Sequence, residues 1–454
     1  MKNYIFSISI LFFSLFSFAQ ADFYKDRLIF KVKGEFRSLC SNNDIKHEKL
    51  NAILSRLENI TISKMFPNHF PPRVKEVNGL PTVDLSLMYL VNCKENNDLE
   101  EIVKLLKQLE ILEYATVDHI VYPLSTYTPN DPNITNQWHL PLIKAFEAWA
   151  IEKGDTNVVI GITDTGIELT HPDLVGNIKY NYADPINGTD DDGDGYTDNF
   201  RGWDTGDNDN NPSFGSSNHG IPVAGLAGAT TDNNNQIAGT GFKSKILPIK
   251  IMNSSGQLSG AYAGIVYAAD HGCNIINASW GSANSFNQAH LDIINYATIN
   301  KDALVVCAAG NSNAPDLFYP ASYQWALSVG GTNSNDVKWI SSTTEGSNYN
   351  YSVDITAPGL NVFSILNNGT TASGRKGTSI SAPIVAGAAA ILKSYDPNLT
   401  ALQIAEQLKS TADNTDNIAG NENFKGLMGN GRLNMERMLT DFTKPGLQFY
   451  NIKT

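Results

Sequence analysis

Three residues at three separate places could together break an amide bond. Ser379 lies in Gly377-Thr378-Ser379-Ile380-Ser381-Ala382-Pro383, just ahead of the helix-compatible apolar run from Ile384 to Leu392. A serine at the start of a helix sits among backbone N–H groups that lack an internal acceptor, where developing negative charge is favoured. Its hydroxyl needs a base to become a nucleophile. His219, in Asn218-His219-Gly220, stands at the entrance to a helix of small residues and can be that base. Asp164 follows the apolar run Val158 to Thr163, where a carboxylate can orient the imidazole. The chemistry these residues could do is nucleophilic acyl transfer.

Each signal has a rival. Ser381 is a second serine in the same segment, and Gly-Thr-Ser can also be a simple helix cap. His271-Gly272 repeats the His-Gly pair at the end of an apparent helix, where it reads as a last turn with its capping glycine. Context, and not the dipeptide, therefore selects His219. Asp-Thr-Gly also occurs in aspartic peptidases, which need two carboxylates sharing one proton; Asp164-Thr165-Gly166, read as a lone motif with no second partner, argues against that class. An esterase of the Gly-x-Ser-x-Gly type is disfavoured because that pattern is absent around Ser379.

The elements that must hold these residues alternate. Val158–Thr163, Lys245–Ile251, Asn274–Ser279, Ala303–Ala308 and Ala326–Val329 read as buried strands, with helical runs at Gly260–His271 and Asn287–Asn300. Alternation of this kind predicts a parallel α/β sheet with ligands at the C-terminal ends of the strands.

The order Asp, His, Ser and the motifs Asp164-Thr165-Gly166, His219-Gly220 and Gly377-Thr378-Ser379 with Pro383 resemble the subtilisin-like serine peptidases. The resemblance covers the region from the turn before Trp138 to Asn434. It implies an α/β fold with a mostly parallel central sheet and helices on both faces. It implies Ser379 as nucleophile, His219 as base and Asp164 as its orienting group. Asn311, in Ala308-Ala309-Gly310-Asn311, is implied as the side-chain donor to the oxyanion. Substrate contacts are implied at Ser279, Trp280 and Gly281, on one side of the main specificity pocket. They are implied also at Ala309 and Gly310, and at Gly256, Gln257 and Leu258, an edge where a peptide adds as a strand. Trp280 could equally be a core residue. One departure stands out: the family usually has threonine after His-Gly, and here Ile221 and then Pro222 follow. That departure is the cue for an alternative, a peptide-binding protein that no longer cuts.

Residues 1–19 read as a cleavable export signal: Lys2, an apolar run from Tyr4 to Phe18, and a small-x-small site at Ser17-Phe18-Ala19. The run is short for a membrane anchor, so a secreted protein is expected, with no membrane association after signal removal. Residues 20–127 show the pattern β-α-β-β-α-β of a small ferredoxin-like α+β unit. By the resemblance this is an inhibitory propeptide, whose final stretch from Glu113 to Tyr127 would lie through the cleft like a product. An ordinary accessory domain is the plainer alternative. The turn-rich Thr128-Pro129-Asn130-Asp131-Pro132-Asn133 suits a maturation cut. The catalytic domain is expected at 128–442, followed by a tail at 443–454.

Asp190, Asp192, Asp194 and Asp198, with Tyr196 between them, resemble a calcium loop, although position twelve is Arg201 and not glutamate. A second calcium site is implied by resemblance at Asp173 and Asn233. One or two structural Ca2+ ions are expected. The formal net charge is −13 and no basic stripe appears, which disfavours nucleic acid as a partner. The expected partners are protein or peptide substrates and the chain's own propeptide, and the expected state is a monomer. Of the four cysteines, Cys273 and Cys307 fall at staggered places on neighbouring strands, so free buried thiols are expected.

Overall fold

The computed structural model describes residues 23–74, 76, 77, 80–95, 98–120 and 126–441; the expected signal and the tail from 443 lie outside these. Two compact units divide the chain, Met1–Pro123 and Leu124–Thr454. Among the described residues no helix is long and apolar enough to cross a membrane.

In the first unit, strand Phe23–Val32, helix Glu48–Leu54, strands Thr61–Lys64 and Met88–Asn92, helix Leu99–Leu106 and strand Leu112–His119 run in the order β-α-β-β-α-β. A minor hairpin, Glu76–Val77 with Leu80–Pro81, is inserted between the second and third strands. The sheet is antiparallel throughout, and Phe23–Val32 is flanked by Met88–Asn92 and Leu112–His119. This is the ferredoxin-like arrangement. Leu99, Ile102, Val103 and Leu106 recur at helical spacing and face one core with Leu28, Phe30 and Val32.

The second unit is built on a seven-stranded sheet. Its order is Ile355–Pro358, Leu327–Thr332, Leu304–Ala308, Ile275–Ala278, Val159–Asp164, Lys245–Lys250 and Trp203–Asp204. Every neighbouring pair is parallel. Side chains alternate between two cores: Ile160, Ile162, Leu304 and Val306 face one, while Val159, Val305 and Cys307 face the other. Burial on both faces is why these strands read as unbroken apolar runs and not as alternating ones. Helices Gly220–Gly228 and Thr378–Tyr395 cover the first face, and Ala261–Asp270 and Gln288–Asn295 the second. From Thr378 to Leu392 every residue is buried, so that helix has no polar side. The helix expected over Asn287–Asn300 is regular only to Asn295 and finishes in a wider π turn, Tyr296–Asn300. Cys273 and Cys307 are buried and unbridged, Cys307 being in register with Ala278, well along from Cys273.

Candidate active site

Asp164 closes the strand Val159–Asp164 at its C-terminal end and is buried. Its Oδ1 accepts hydrogen bonds from the Thr165 N–H at 2.7 Å and from His219 Nδ1 at 2.8 Å. A carboxylate only accepts, so the proton of the neutral ring sits on Nδ1 and Nε2 keeps its lone pair. The neighbouring Asp164 charge holds the His219 pKa above its ordinary value, against the opposing effect of burial. His219 stands at the N-terminus of helix Gly220–Gly228, with its side chain 39% exposed. The glycine after it is a packing requirement: a Cβ at Gly220 would lie 2.3 Å from the Gly166 carbonyl oxygen. The Gly220 N–H also donates to Thr165 Oγ1 at 3.0 Å, tying the two motifs together.

Ile221 is fully buried in the core below His219. The threonine departure is thus absorbed as apolar packing, and the His219–Asp164 contact is intact beside it. Pro222 falls in the first helical turn, where its missing N–H costs no internal bond.

Ser379 is the second residue of helix Thr378–Tyr395 and keeps 8% exposure. Ser381 keeps none, and its hydroxyl is committed to the carbonyls of Ala357 and Pro358 at 3.1 and 3.2 Å. Pro383, inside the helix, cannot donate to the carbonyl four residues back, which is that of Ser379. The Ser279 hydroxyl takes that place, donating to Ser379 O at 2.9 Å. Ser279, expected as a substrate contact, thus spends its hydroxyl on positioning the serine.

Asn311 lies just beyond strand Leu304–Ala308 and is exposed. Its Oδ1 accepts from the Thr378 N–H at 2.8 Å and from the Thr378 hydroxyl at 2.9 Å. Thr378 Oγ1 in turn accepts from the Gly310 N–H at 3.1 Å. Two donors on one side of the amide fix its orientation and turn Nδ2 the other way. Gly377, at φ +124°, shows where it points: a Cβ there would lie 3.1 Å from Ser379 Oγ and 3.3 Å from Asn311 Nδ2. Ser379 Oγ and Asn311 Nδ2 thus converge on one small space that a side chain would fill, a geometry that could receive a reacting carbonyl. The locking role of Thr378 leaves no signal in the sequence, because it depends on a partner far along the chain.

The expectation of a lone Asp-Thr-Gly is corrected: the motif occurs a second time, at Asp204-Thr205-Gly206, and so does not by itself exclude an aspartic peptidase. The geometry does. Asp204 is buried and ion-paired with Lys250, while Asp164 is bonded to His219.

Leu258, Trp280 and Gly281 line one groove of about 660 Å³ together with Tyr262, Phe286 and His290. Trp280 donates from Nε1 to Thr163 Oγ1 at 3.1 Å while its ring faces Tyr262 edge-on. Gly256 and Gln257 form the exposed turn before Leu258, closed by the Gln257 N–H on Asn253 Oδ1 at 2.9 Å. Ala309 donates to Val329 O at 3.0 Å, so it is held by the sheet and precedes Gly310 at the sheet's edge of the site.

Carboxylate oxygens of Asp190, Asp192 and Asp194 lie within 4.8 Å of one another. A cluster of oxygen donors alone suits a hard cation. Asp198 and Tyr196 of the expected set are held as follows. The Asp198 carboxylate is taken up by the N–H groups of Asn187 and Gly188, each at 2.8 Å, and the Tyr196 ring packs edge-on against Trp203 and Tyr267. The clustered carboxylates are thus those of Asp190, Asp192 and Asp194, while the Asp198 side chain braces the loop and the packed Tyr196 ring leaves its backbone carbonyl as the group it could offer a cation. At the second place, Asp173 is fully buried, accepts from Asn233 Nδ2 at 3.0 Å, and is pushed up to about 7 by burial. Asp131 adds to that shift, and its own buried Oδ1 has no hydrogen-bond partner among the described residues. Asp131 was not among the expected ligands, being hidden in a turn-rich segment that reads as a linker. At the second place the buried, unpartnered oxygen of Asp131 fits a hard cation, whereas the cluster of Asp190, Asp192 and Asp194 is half-buried to exposed and offers only its crowding of oxygen donors.

A parallel α/β sheet whose strand ends carry an aspartate and an asparagine, beside a serine at the start of a buried helix, is the arrangement the subtilisin resemblance predicts. Residues 155–431 match the subtilase family. Over 325 residues the chain is 33% identical to a thermophilic serine proteinase of Bacillus sp. (strain AK1), covering 71% of this chain and 73% of that protein. It is 37% identical over 292 residues to thermitase of Thermoactinomyces vulgaris, covering 63% of this chain and 92% of thermitase. A solved protease structure from Pseudoalteromonas arctica PAMC 21717 superposes with a TM-score of 0.55 at 27% identity, covering 69% of this chain and 99% of that one. The chain belongs to the subtilase family and is a subtilisin-like serine endopeptidase.

Proposed function

We propose that the protein hydrolyses peptide bonds through Ser379, with His219 as general base and Asp164 as the group that orients it. The Ser379 hydroxyl attacks the substrate carbonyl while His219 Nε2 takes its proton. The oxyanion is received by Asn311 Nδ2 and by the Ser379 N–H, which lies in the first turn of its helix where no internal acceptor exists. His219 then hands the proton to the leaving amine, and water releases the acyl group from Ser379 by the same route in reverse. The observation that carries this reading is the convergence of Ser379 Oγ and Asn311 Nδ2 on the space beside Gly377, with His219 fixed in the basic tautomer by Asp164. The burial of Ile221 removes the one cue for a protein that binds without cutting.

The substrates are extended segments of proteins, lying along the Gly256–Leu258 turn and the groove at Trp280. The first unit acts as an inhibitory propeptide, released by self-cleavage near Thr128 to Asn133; its ferredoxin-like fold ahead of a subtilase domain supports this role. The protein is exported and works as a monomer. Calcium is held by Asp190, Asp192 and Asp194, and by Asp173, Asp131 and Asn233, where it would neutralise crowded or buried carboxylates and tie the loops down. Wild type should digest a denatured protein such as reduced casein, and Ser379→Ala should not, at equal folded concentration. Equal digestion by both would reject Ser379 as nucleophile.

A further inference from the structure

Phe318 occupies an unusual place. It belongs to the short strand Phe318–Tyr319, which pairs antiparallel with Ser282–Ala283 directly after Gly281. Its backbone is held at both ends of the residue, its N–H donating to Ser322 Oγ at 3.0 Å and its carbonyl accepting from the Ser322 N–H at 2.8 Å. The ring runs between two glycines that come from different strand ends. A Cβ at Gly281 would lie 2.5 Å from Phe318 Cε1 and 2.9 Å from Cδ1. A Cβ at Gly310 would lie 2.9 Å from both Cδ2 and Cγ. One edge of the ring therefore faces each glycine, and the ring bridges the gap between them.

That gap adjoins the reacting atoms. Ser279, two residues before Gly281, bonds the Ser379 carbonyl, and Gly310 precedes Asn311 and bonds Thr378. The segments Ser279–Gly281 and Ala309–Gly310 are thus two walls fastened to the start of the nucleophile's helix. On the proposed reading, in which Ser279–Gly281 and Ala309–Gly310 flank the specificity pocket, the side chain of the residue before the cleaved bond enters between those walls. We propose that Phe318 fills the space there, so that the enzyme cleaves after residues with small side chains, glycine, alanine or serine, and rejects aromatic and long aliphatic ones. This inference rests on the assignment of Ser379 and Asn311 to the reacting carbonyl. The general argument is steric: close-packed walls cannot accept a second ring where one already stands, and each added methylene that must be excluded or strained changes discrimination by a measurable factor.

The test uses the matured enzyme and two chromogenic peptides that differ only in alanine or phenylalanine before the cleaved bond. Wild type should favour alanine in kcat/KM by at least about ten-fold, and Phe318→Gly should shift that ratio toward phenylalanine by about 100-fold. Phe318→Leu, with a smaller cavity and a lower risk of misfolding, should shift it in the same direction by less. The proposal is overturned if wild type cleaves after phenylalanine as well as after alanine. It is equally overturned if a folded Phe318→Gly with normal activity on the alanine peptide keeps the wild-type ratio. Should wild type cleave neither peptide, the catalytic assignment fails separately. Calorimetric binding of the corresponding product peptides, ending in alanine or phenylalanine, then still reads the pocket. Tighter binding of the alanine-ended peptide supports the plugged pocket, and equal or weaker binding rejects it.

Discussion

His219 shares one carboxylate oxygen of Asp164 with the Thr165 N–H, and its pKa is raised by the Asp164 charge. General-base action needs the neutral ring, so activity is present above the His219 pKa and lost as pH falls through it. Because the folded value lies above the ordinary 6.5, the acid limb of kcat/KM should lie above 6.5 in wild type. Asp164→Asn should move that limb down and lower kcat by roughly 10⁴-fold, the scale seen when serine peptidases lose this carboxylate. A pH–rate profile of both proteins checks it; an unmoved limb in Asp164→Asn would remove Asp164 as the cause. At this scale much was legible in the chain. Asp164, His219 and Ser379 each sit at a strand end or helix start with a neighbouring glycine, and those local patterns survive without a structure. Phe318, Asp131 and the Thr378 lock were not legible, since each acquires its role from residues far along the chain.

Pro383 and Ser279 act on the same carbonyl, that of Ser379, in the helix Thr378–Tyr395. Proline removes the N–H that would satisfy the Ser379 carbonyl, and the Ser279 hydroxyl replaces it at 2.9 Å. Ser279→Ala should therefore leave a buried carbonyl without a donor and destabilise the fold by about 1–3 kcal/mol. The cost should shrink in a Pro383→Ala background, where the helix regains its own donor. A double-mutant cycle by denaturant unfolding reads the coupling directly; additive losses would show that the two residues act independently. The parallel strands could be placed from sequence because burial on both faces leaves continuous apolar runs, as at Leu304–Ala308. The two outer strands, Trp203–Asp204 and Ile355–Pro358, were not, because the first has only two residues and the second, Ile-Thr-Ala-Pro, is no continuous apolar run.

The whole molecule couples a ferredoxin-like first unit to a subtilase second unit, with the sequence boundary at residues 123 and 124. The change from alternating strands to short runs buried on both faces made two units legible in the chain, while the role proposed for the first comes only from its company with the second. A net charge of −13 and clustered carboxylates at Asp190, Asp192 and Asp194 give the molecule an acidic character that bound calcium would offset locally. The central claim is that a base-activated Ser379 performs the chemistry of this assembly. Its most direct test is intact-mass analysis of the full chain incubated with calcium and then with a serine-reactive fluorophosphonate. Wild type should lose the first unit, by about a hundred residues for a domain of this size, and gain one adduct that maps to Ser379. Ser379→Ala should keep its first unit and gain nothing, and His219→Ala should keep it and label poorly. A wild-type chain that stays whole and unlabelled, or an adduct on any residue other than Ser379, would contradict the account.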